Sequence, residues 1–185
     1  GGDGLKHRTA WAGAGDGVLF YDADSDGTIS QKREYIFTEW DPTASSDMEA
    51  LRSYFDSNGD GKLTSADAAF ANFKILVTNA DGSTTTKTLA QLGITEINLT
   101  EDATRIVLPD GSVIEGQTTF KKSNGTTGTV ASTSLVAETE GHRVTEAVST
   151  DVNGNRVVVN TVFGAGGTIL YAVTSVTSPS GASIT

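Results

Sequence analysis

The run Asp56-Ser57-Asn58-Gly59-Asp60-Gly61-Lys62-Leu63-Thr64-Ser65-Ala66-Asp67 places oxygen donors at alternate positions of a tight loop. Asp56, Asn58 and Asp60 hold positions 1, 3 and 5, and Gly61 at position 6 permits a sharp turn. Position 7 needs only a backbone carbonyl, so Lys62 can stand there. Leu63 at position 8 is expected to face a core. Thr64 at position 9 can act directly or through water, and Asp67 at position 12 closes the loop. A hard cation such as Ca²⁺ takes about six to eight oxygens at about 2.3–2.6 Å, which explains the spacing. The pattern is that of an EF-hand loop, with Asp where Glu is usual at the end.

A second copy begins at Asp22. Asp22, Asp24 and Asp26 take positions 1, 3 and 5, followed by Gly27, Thr28, Ile29 and Ser30 at positions 6 to 9. Position 12 is Arg33, and the first available carboxylate, Glu34, comes one residue later. Glu34 is expected to bend in as the closing ligand, with Arg33 pointing out. Clustered carboxylates without a cation repel one another, so such a loop calls for a counter-ion.

Other acidic turns are weaker. Asn79-Ala80-Asp81-Gly82 imitates positions 3 to 6, but Val77 stands where the first acid belongs, so a degenerate loop or a hairpin turn is expected. Asp151 to Arg156 lacks the position-6 glycine and reads as a hairpin turn, and Asp16-Gly17 reads as a turn. Asp3-Gly4 could be positions 5 and 6 of another loop. Gly13-Ala14-Gly15-Asp16-Gly17 has neither a phosphate-loop lysine nor a dinucleotide fingerprint. His7 and His142 form no His-Glu-x-x-His pair, and nothing locates a Ser-His-Asp triad.

Positioning the loops requires elements on either side. Ser46-Asp47-Met48-Glu49 is a capping box, and Met48, Leu51 and Phe55 share one helical face leading into Asp56. Residues 65–73 are expected to form the helix leaving that loop, and residues 88–92 a short helix stopped by Gly93. Beyond Gly93 the chain turns rich in Thr, Val, Ser and Gly. Strands are expected at 94–99, 104–108, 112–115, 118–122, 143–149, 156–162 and 168–176. Asp110-Gly111, Asn124-Gly125 and Asn153-Gly154 lie between such runs and predict tight hairpins. The tail from Val173 is expected to be a linker or the start of another unit.

The 185 residues carry a formal net charge of −10, which argues against nucleic acid and anionic membranes, both of which demand basic patches. No run approaches a membrane span. The absence of cysteine excludes disulfides and thiolate sites, leaving bound metal as an available staple for a modest core. The opening Gly1-Gly2-Asp3-Gly4 leads us to expect a piece of something longer.

With the loops placed, the chain resembles the calcium-dependent self-processing module of large RTX-type secreted bacterial proteins, over about residues 1–138. The matching stretches are 11–19, the loop from Asp22 to Glu34, Phe55 to Gly61, 66–70, 88–94 and 123–127. That family's first loop also places its Glu one residue late, which supports Glu34. The resemblance implies that calcium folds the module and promotes cleavage of an Asp-Pro bond at its N-terminal edge. The aspartate attacks its own carbonyl to give an anhydride that water or a lysine amine opens. Two departures stand out. The edge Asp-Pro is absent, the single Asp-Pro being the internal Asp41-Pro42, and the loop around Asp81 has lost a ligand. Asp41-Pro42 is expected to be a turn before the Ser46 helix.

The expected architecture is α+β: an EF-hand-like helix-loop-helix calcium lobe over about residues 1–93, then an antiparallel β-rich half from about 94. Together these make a module over 1–138, followed by a β-rich extension over 139–185. Two Ca²⁺ ions are expected, one on Asp22, Asp24, Asp26, Thr28, Ser30 and Glu34, the other on Asp56, Asn58, Asp60, Lys62, Thr64 and Asp67. The expected function is a calcium-ordered structural and folding module of a large secreted bacterial protein. Its partners would be calcium ions and neighbouring domains, with no nucleic acid and no membrane span. The alternatives are a calcium-activated Asp-Pro cleavage or ligation module, and an adhesin or stalk module.

Overall fold

The computed structural model describes residues 9–137, 140–164, 166–181, 183 and 184. The runs Gly17–Tyr21, Phe73–Thr78 and Thr84–Thr88 are rich in β-branched and aromatic residues and pleat into strands. In chain order the strands are β1 (Gly17–Tyr21), β2 (Lys62–Thr64), β3 (Phe73–Thr78), β4 (Thr84–Thr88), β5 (Ile94–Asn98) and β6 (Ile106–Val107). They continue with β7 (Val113–Lys122), β8 (Thr127–Ser134), β9 (His142–Thr150), β10 (Arg156–Gly164), β11 (Ile169–Thr177) and β12 (Ser183–Ile184). They form three antiparallel sheets: β1-β3-β4; β2-β5-β7-β6, with β8 also on β7; and β12-β11-β10-β9.

The expected helix-loop-helix lobe is not there, and the α+β assignment gives way to a mainly β architecture. Among the described residues the helical backbone is one segment, α1 (Asp47–Ala50) continued by the wider π-type turn Leu51–Phe55, and single 3-10 turns at Lys32–Glu34, Phe37–Glu39 and Phe70–Asn72. The Ser46 cap forms as read, its side chain accepting the Glu49 N–H at 3.1 Å. The segment expected to leave the second loop as a helix makes only turns before Phe73 starts β3. Two causes are visible, one in the sequence and one in the strand pairing. The exit after Asp67 is just Ala68 to Asn72 before the aromatic and β-branched run that starts at Phe73, too short to repay helix nucleation. Leu63, at position 8 of the loop, pairs with Ile97 of β5, so the loop ends as a sheet edge. Residues 88–92 are likewise turns, with Gly93 in the left-handed region (φ +69) as their stop.

Composition changes at Gly93, but the core does not. Phe37, Met48, Leu51, Phe55, Leu63 and Phe73 pack in one buried cluster with Leu89, Ile94, Ile97 and Leu99. The expected hairpins do form. Gly111, Gly125 and Gly154 turn β6 into β7, β7 into β8 and β9 into β10, all at positive φ. Residues 79–83 turn β3 into β4 as a hairpin, with the Asp81 carboxylate accepting the Ser83 N–H at 2.9 Å. Segments 112–115 and 118–122, expected as two strands, are one, and Val173 lies within β11 rather than in a linker.

The chain divides into two compact units. One is Ala10–Leu135, with the first two sheets and the core; the other begins at Val136, includes Thr9, and holds the third sheet. Thr9 bridges Ala137 within the second unit. Asp3-Gly4 and His7 lie outside the described residues.

Candidate metal centre

The two acidic loops share a hydrogen-bond framework, residue by residue. The carboxylate at position 1 accepts from the glycine amide at position 6: Gly27 to Asp22 Oδ2 at 3.2 Å, Gly61 to Asp56 Oδ2 at 2.8 Å. The side-chain oxygen at position 3 accepts the amide of position 5, Asp26 to Asp24 at 3.3 Å and Asp60 to Asn58 at 3.1 Å. That at position 5 accepts the amide of position 7, Thr28 to Asp26 at 2.7 Å and Lys62 to Asp60 at 2.9 Å. Positions 4 and 6 lie at positive φ in both loops: Ser25 (62) and Gly27 (76), Gly59 (72) and Gly61 (77). Glycine meets this demand without strain, whereas Ser25 meets it at a cost.

The closing carboxylate ties the ends of each loop. Asp67 accepts the Ser57 N–H on Oδ1 at 2.8 Å and the Thr64 N–H on Oδ2 at 2.9 Å. Glu34, one residue later in its loop, accepts the amides of the same positions, Ala23 on Oε1 at 3.2 Å and Ser30 on Oε2 at 2.8 Å, with Gln31 also at 2.8 Å. Both are buried, Glu34 at 0% exposure and Asp67 at 3%. Arg33 turns the other way, its Nε donating to Gln31 Oε1 and its guanidinium 4.9 Å from the Trp40 ring centroid.

The first loop brings an oxygen from each of Asp22, Asp24 and Glu34 within 4.8 Å of one another. Among the described residues no such trio of carboxylates converges in the second loop, where Asn58 replaces an acid. Asp26 stands apart from the trio, accepting from Thr28, and the Ser30 hydroxyl donates to Asp24 at 3.2 Å. In the second loop Asn58 donates to Asp60 at 3.1 Å, the Thr64 hydroxyl accepts the Ala66 N–H, and the Lys62 ammonium pairs with Glu96. Asp22 is 1% exposed, and its Oδ1 is buried with no hydrogen-bond partner. A buried carboxylate oxygen without a partner is costly, so it is the donor atom for which a cation is most wanted. The donor set is oxygen throughout and suits a hard cation, with Asp22, Asp24 and Glu34 at its heart. The Asp24 carboxyl is held below its usual range chiefly by the Asp26 N–H, aided by Gln31 and Ser30 against some burial, which keeps it in the ionised form that a cation needs.

Each loop follows directly on an aromatic residue, Tyr21 before Asp22 and Phe55 before Asp56, and these two rings lie 4.8 Å apart. Phe73 and Trp40 pack on both. The first residues of the two loops are thus anchored in one aromatic cluster. Sequence reasoning missed Lys74, whose ammonium pairs with Asp22 Oδ2, and Asn72, whose carbonyl accepts the Asp22 N–H at 3.0 Å. The available signal for Lys74 was a lone lysine inside the apolar run of β3.

The family described as the SPM domain matches residues 1–136, and both loops fall inside that span. The chain belongs to the SPM-domain family. A curated relative of this SPM domain is the iron-regulated protein FrpA of Neisseria meningitidis serogroup C, 29% identical over 143 residues. The alignment takes in 73% of the chain but 13% of FrpA, so the chain corresponds to a small part of a much longer relative. Among the described residues no helix is long and apolar enough to cross a membrane.

Proposed function

We propose that the chain is a calcium-binding folding module of a larger exported bacterial protein, ordered by Ca²⁺ once outside the cell. The observation that carries this reading is the buried, unpartnered Asp22 Oδ1 in a loop whose framework is repeated around Asp56. Asp22, Asp24, Asp26, Ser30 and Glu34, with the Thr28 carbonyl, would hold one ion. Asp56, Asn58, Asp60, Thr64 and Asp67, with the Lys62 carbonyl, would hold the other. Where calcium is scarce, repulsion among the carboxylates loosens both loops; where it is abundant, the ions bind the folded form alone. At a concentration about a hundredfold above the dissociation constant, each ion adds about 2.7 kcal/mol to stability. Two such sites amount to a large share of the stability of a small domain.

The motif likeness to self-processing modules supports a second reading, calcium-activated Asp-Pro cleavage or ligation. The internal Asp41-Pro42 does not suit that chemistry. Asp41 Oδ1 accepts from the Thr43 amide at 3.1 Å and hydroxyl at 2.6 Å, and Oδ2 accepts from the Ser53 hydroxyl. Both oxygens already accept hydrogen bonds, Oδ1 within the turn and Oδ2 from the α1 side, and an attack on their own carbonyl carbon would have to break them. On this reading the scissile bond would belong to the parent chain outside this sequence.

Native intact mass, recorded after chelation and again after adding calcium, tests the calcium reading and the integrity of Asp41-Pro42. Two bound ions on an uncut chain are expected, with Asp22→Ala and Asp56→Ala each removing one. No bound ion at millimolar calcium would overturn the first reading. Fragments parting at Asp41-Pro42 would overturn the assignment of that bond as a structural turn and make this chain itself the cleaving module.

A further inference from the structure

Lys74 is the charged residue of the β3 run Phe-Lys-Ile-Leu-Val-Thr. Its register partners are Phe20 on β1 and Thr88 on β4, and its ammonium reaches Asp22 Oδ2 in the first loop. The pair is enclosed, with Asp22 1% and Lys74 20% exposed. The ammonium also lies over the turn of the loop, since a Cβ built on Gly27 would stand 3.9 Å from Nζ. The oxygen that Lys74 takes is the one that accepts the Gly27 N–H, and that bond is 3.2 Å long against 2.8 Å for Gly61 and Asp56. Among the described residues the second loop has no equivalent. There Asp56 accepts from the amides of Gly59, Asp60 and Gly61, and the loop's own lysine, Lys62, is turned to Glu96.

We propose that Lys74 is a tethered counter-ion which calcium must displace from the first loop, so that the two loops fill in order, the second before the first. The inference rests on the calcium reading above. A fixed ammonium beside Asp22 neutralises part of the carboxylate cluster and so eases, in the first loop, the repulsion that loosens it when calcium is scarce. The same charge repels an incoming cation and occupies one of its oxygens, so binding must first break an enclosed pair and return the ammonium to water. No such step precedes binding at Asp56. The lysine therefore raises the calcium concentration at which the first loop fills, on the order of tenfold relative to the second.

The amides of Gly27 and Gly61 report the two loops separately, because each donates to the first carboxylate of its own loop. In a two-dimensional NMR titration of the full chain with calcium, Gly61 should move first and Gly27 at about tenfold higher concentration. In Lys74→Met the gap should close, and in Lys74→Arg it should persist. Glycines that move together in the wild type, or Gly27 moving first, would overturn the order and leave the calcium reading standing. If neither moves, the calcium reading itself falls. A measurement on the unaltered protein guards against a variant that does not fold. The Lys74 amine should react slowly with an acylating reagent in chelator and faster in saturating calcium, with exposed Lys121 as the reference. Equal Lys74 reactivity in the two conditions would also overturn the proposal.

Discussion

A carboxylate that bridges positions 2 and 9 of a loop needs one more methylene when it leaves the chain one residue later. Asp67 and Glu34 differ in just this way and reach equivalent amides. Side-chain length at Glu34 is therefore matched to its offset, and Glu34→Asp should lose at least one of the amide bonds to Ala23, Ser30 and Gln31. Such bonds to a charged group contribute about 1.5–3 kcal/mol each. Calcium affinity at the first loop should fall by at least about tenfold in calorimetric titration, with the second loop unchanged. Arg33→Ala should leave both affinities as they were, because Arg33 faces Gln31 and Trp40. An Arg33→Ala loss equal to that of Glu34→Asp would contradict this assignment. The two acidic loops were legible because oxygen-bearing side chains alternate over a dozen residues, the spacing that a cation with oxygen ligands would demand. Lys74 was not, because it lies 52 residues from Asp22 in sequence and only the pairing of β1 with β3 brings it near.

At the scale of elements, the sequence made hairpins and the entry into the second loop plain, since Asp-Gly and Asn-Gly turns and a capped apolar face are local signals. The exit from the second loop was misread for a tertiary reason. Lys62–Thr64 can pleat because β5 offers it an edge, and no local pattern announces that partner. Glu96 shows how the join is held. From the middle of its sheet it pairs with Lys62 of β2 at 3.2 Å and Lys121 of β7 at 2.9 Å, and chiefly the Lys121 bond draws its carboxyl below the ordinary value of 4.5. A carboxyl with a depressed folded pKa stabilises the fold above its unfolded value, and that contribution fades as pH falls through the folded one. Glu96→Gln should therefore cost stability at pH 7 and cost nothing once the pH is below the folded pKa. The lysines are 42% and 55% exposed, so solvent screening limits the neutral-pH loss to about 1 kcal/mol. Urea unfolding of both proteins across that pH range would show the curves converging in acid; a constant difference would mean that the loss is one of packing.

At the scale of the whole molecule, the distribution of the acidic loops separates the two units. Both loops and the buried cluster of aromatic and aliphatic residues lie in Ala10–Leu135, whereas the sheet from β9 to β12 carries no such loop among its described residues. That sheet relies on long ladders, β10 pairing along its whole length with β9 and nearly so with β11, around the buried Val158 and Val162. On the calcium reading proposed above, linkage acts only where the ion binds, so removing calcium should lower the opening free energy of amides in the first unit by up to about 2.7 kcal/mol per site. Hydrogen exchange of the intact chain in chelator and in calcium would reveal this as a calcium-dependent protection of β1, β2, β3 and β5. The amides of β9, β10 and β11 should exchange at the same rate in both. Loss of protection across all of these strands in chelator would mean that the ions stabilise the chain as one cooperative body, and that the boundary near Leu135 is not a boundary in stability.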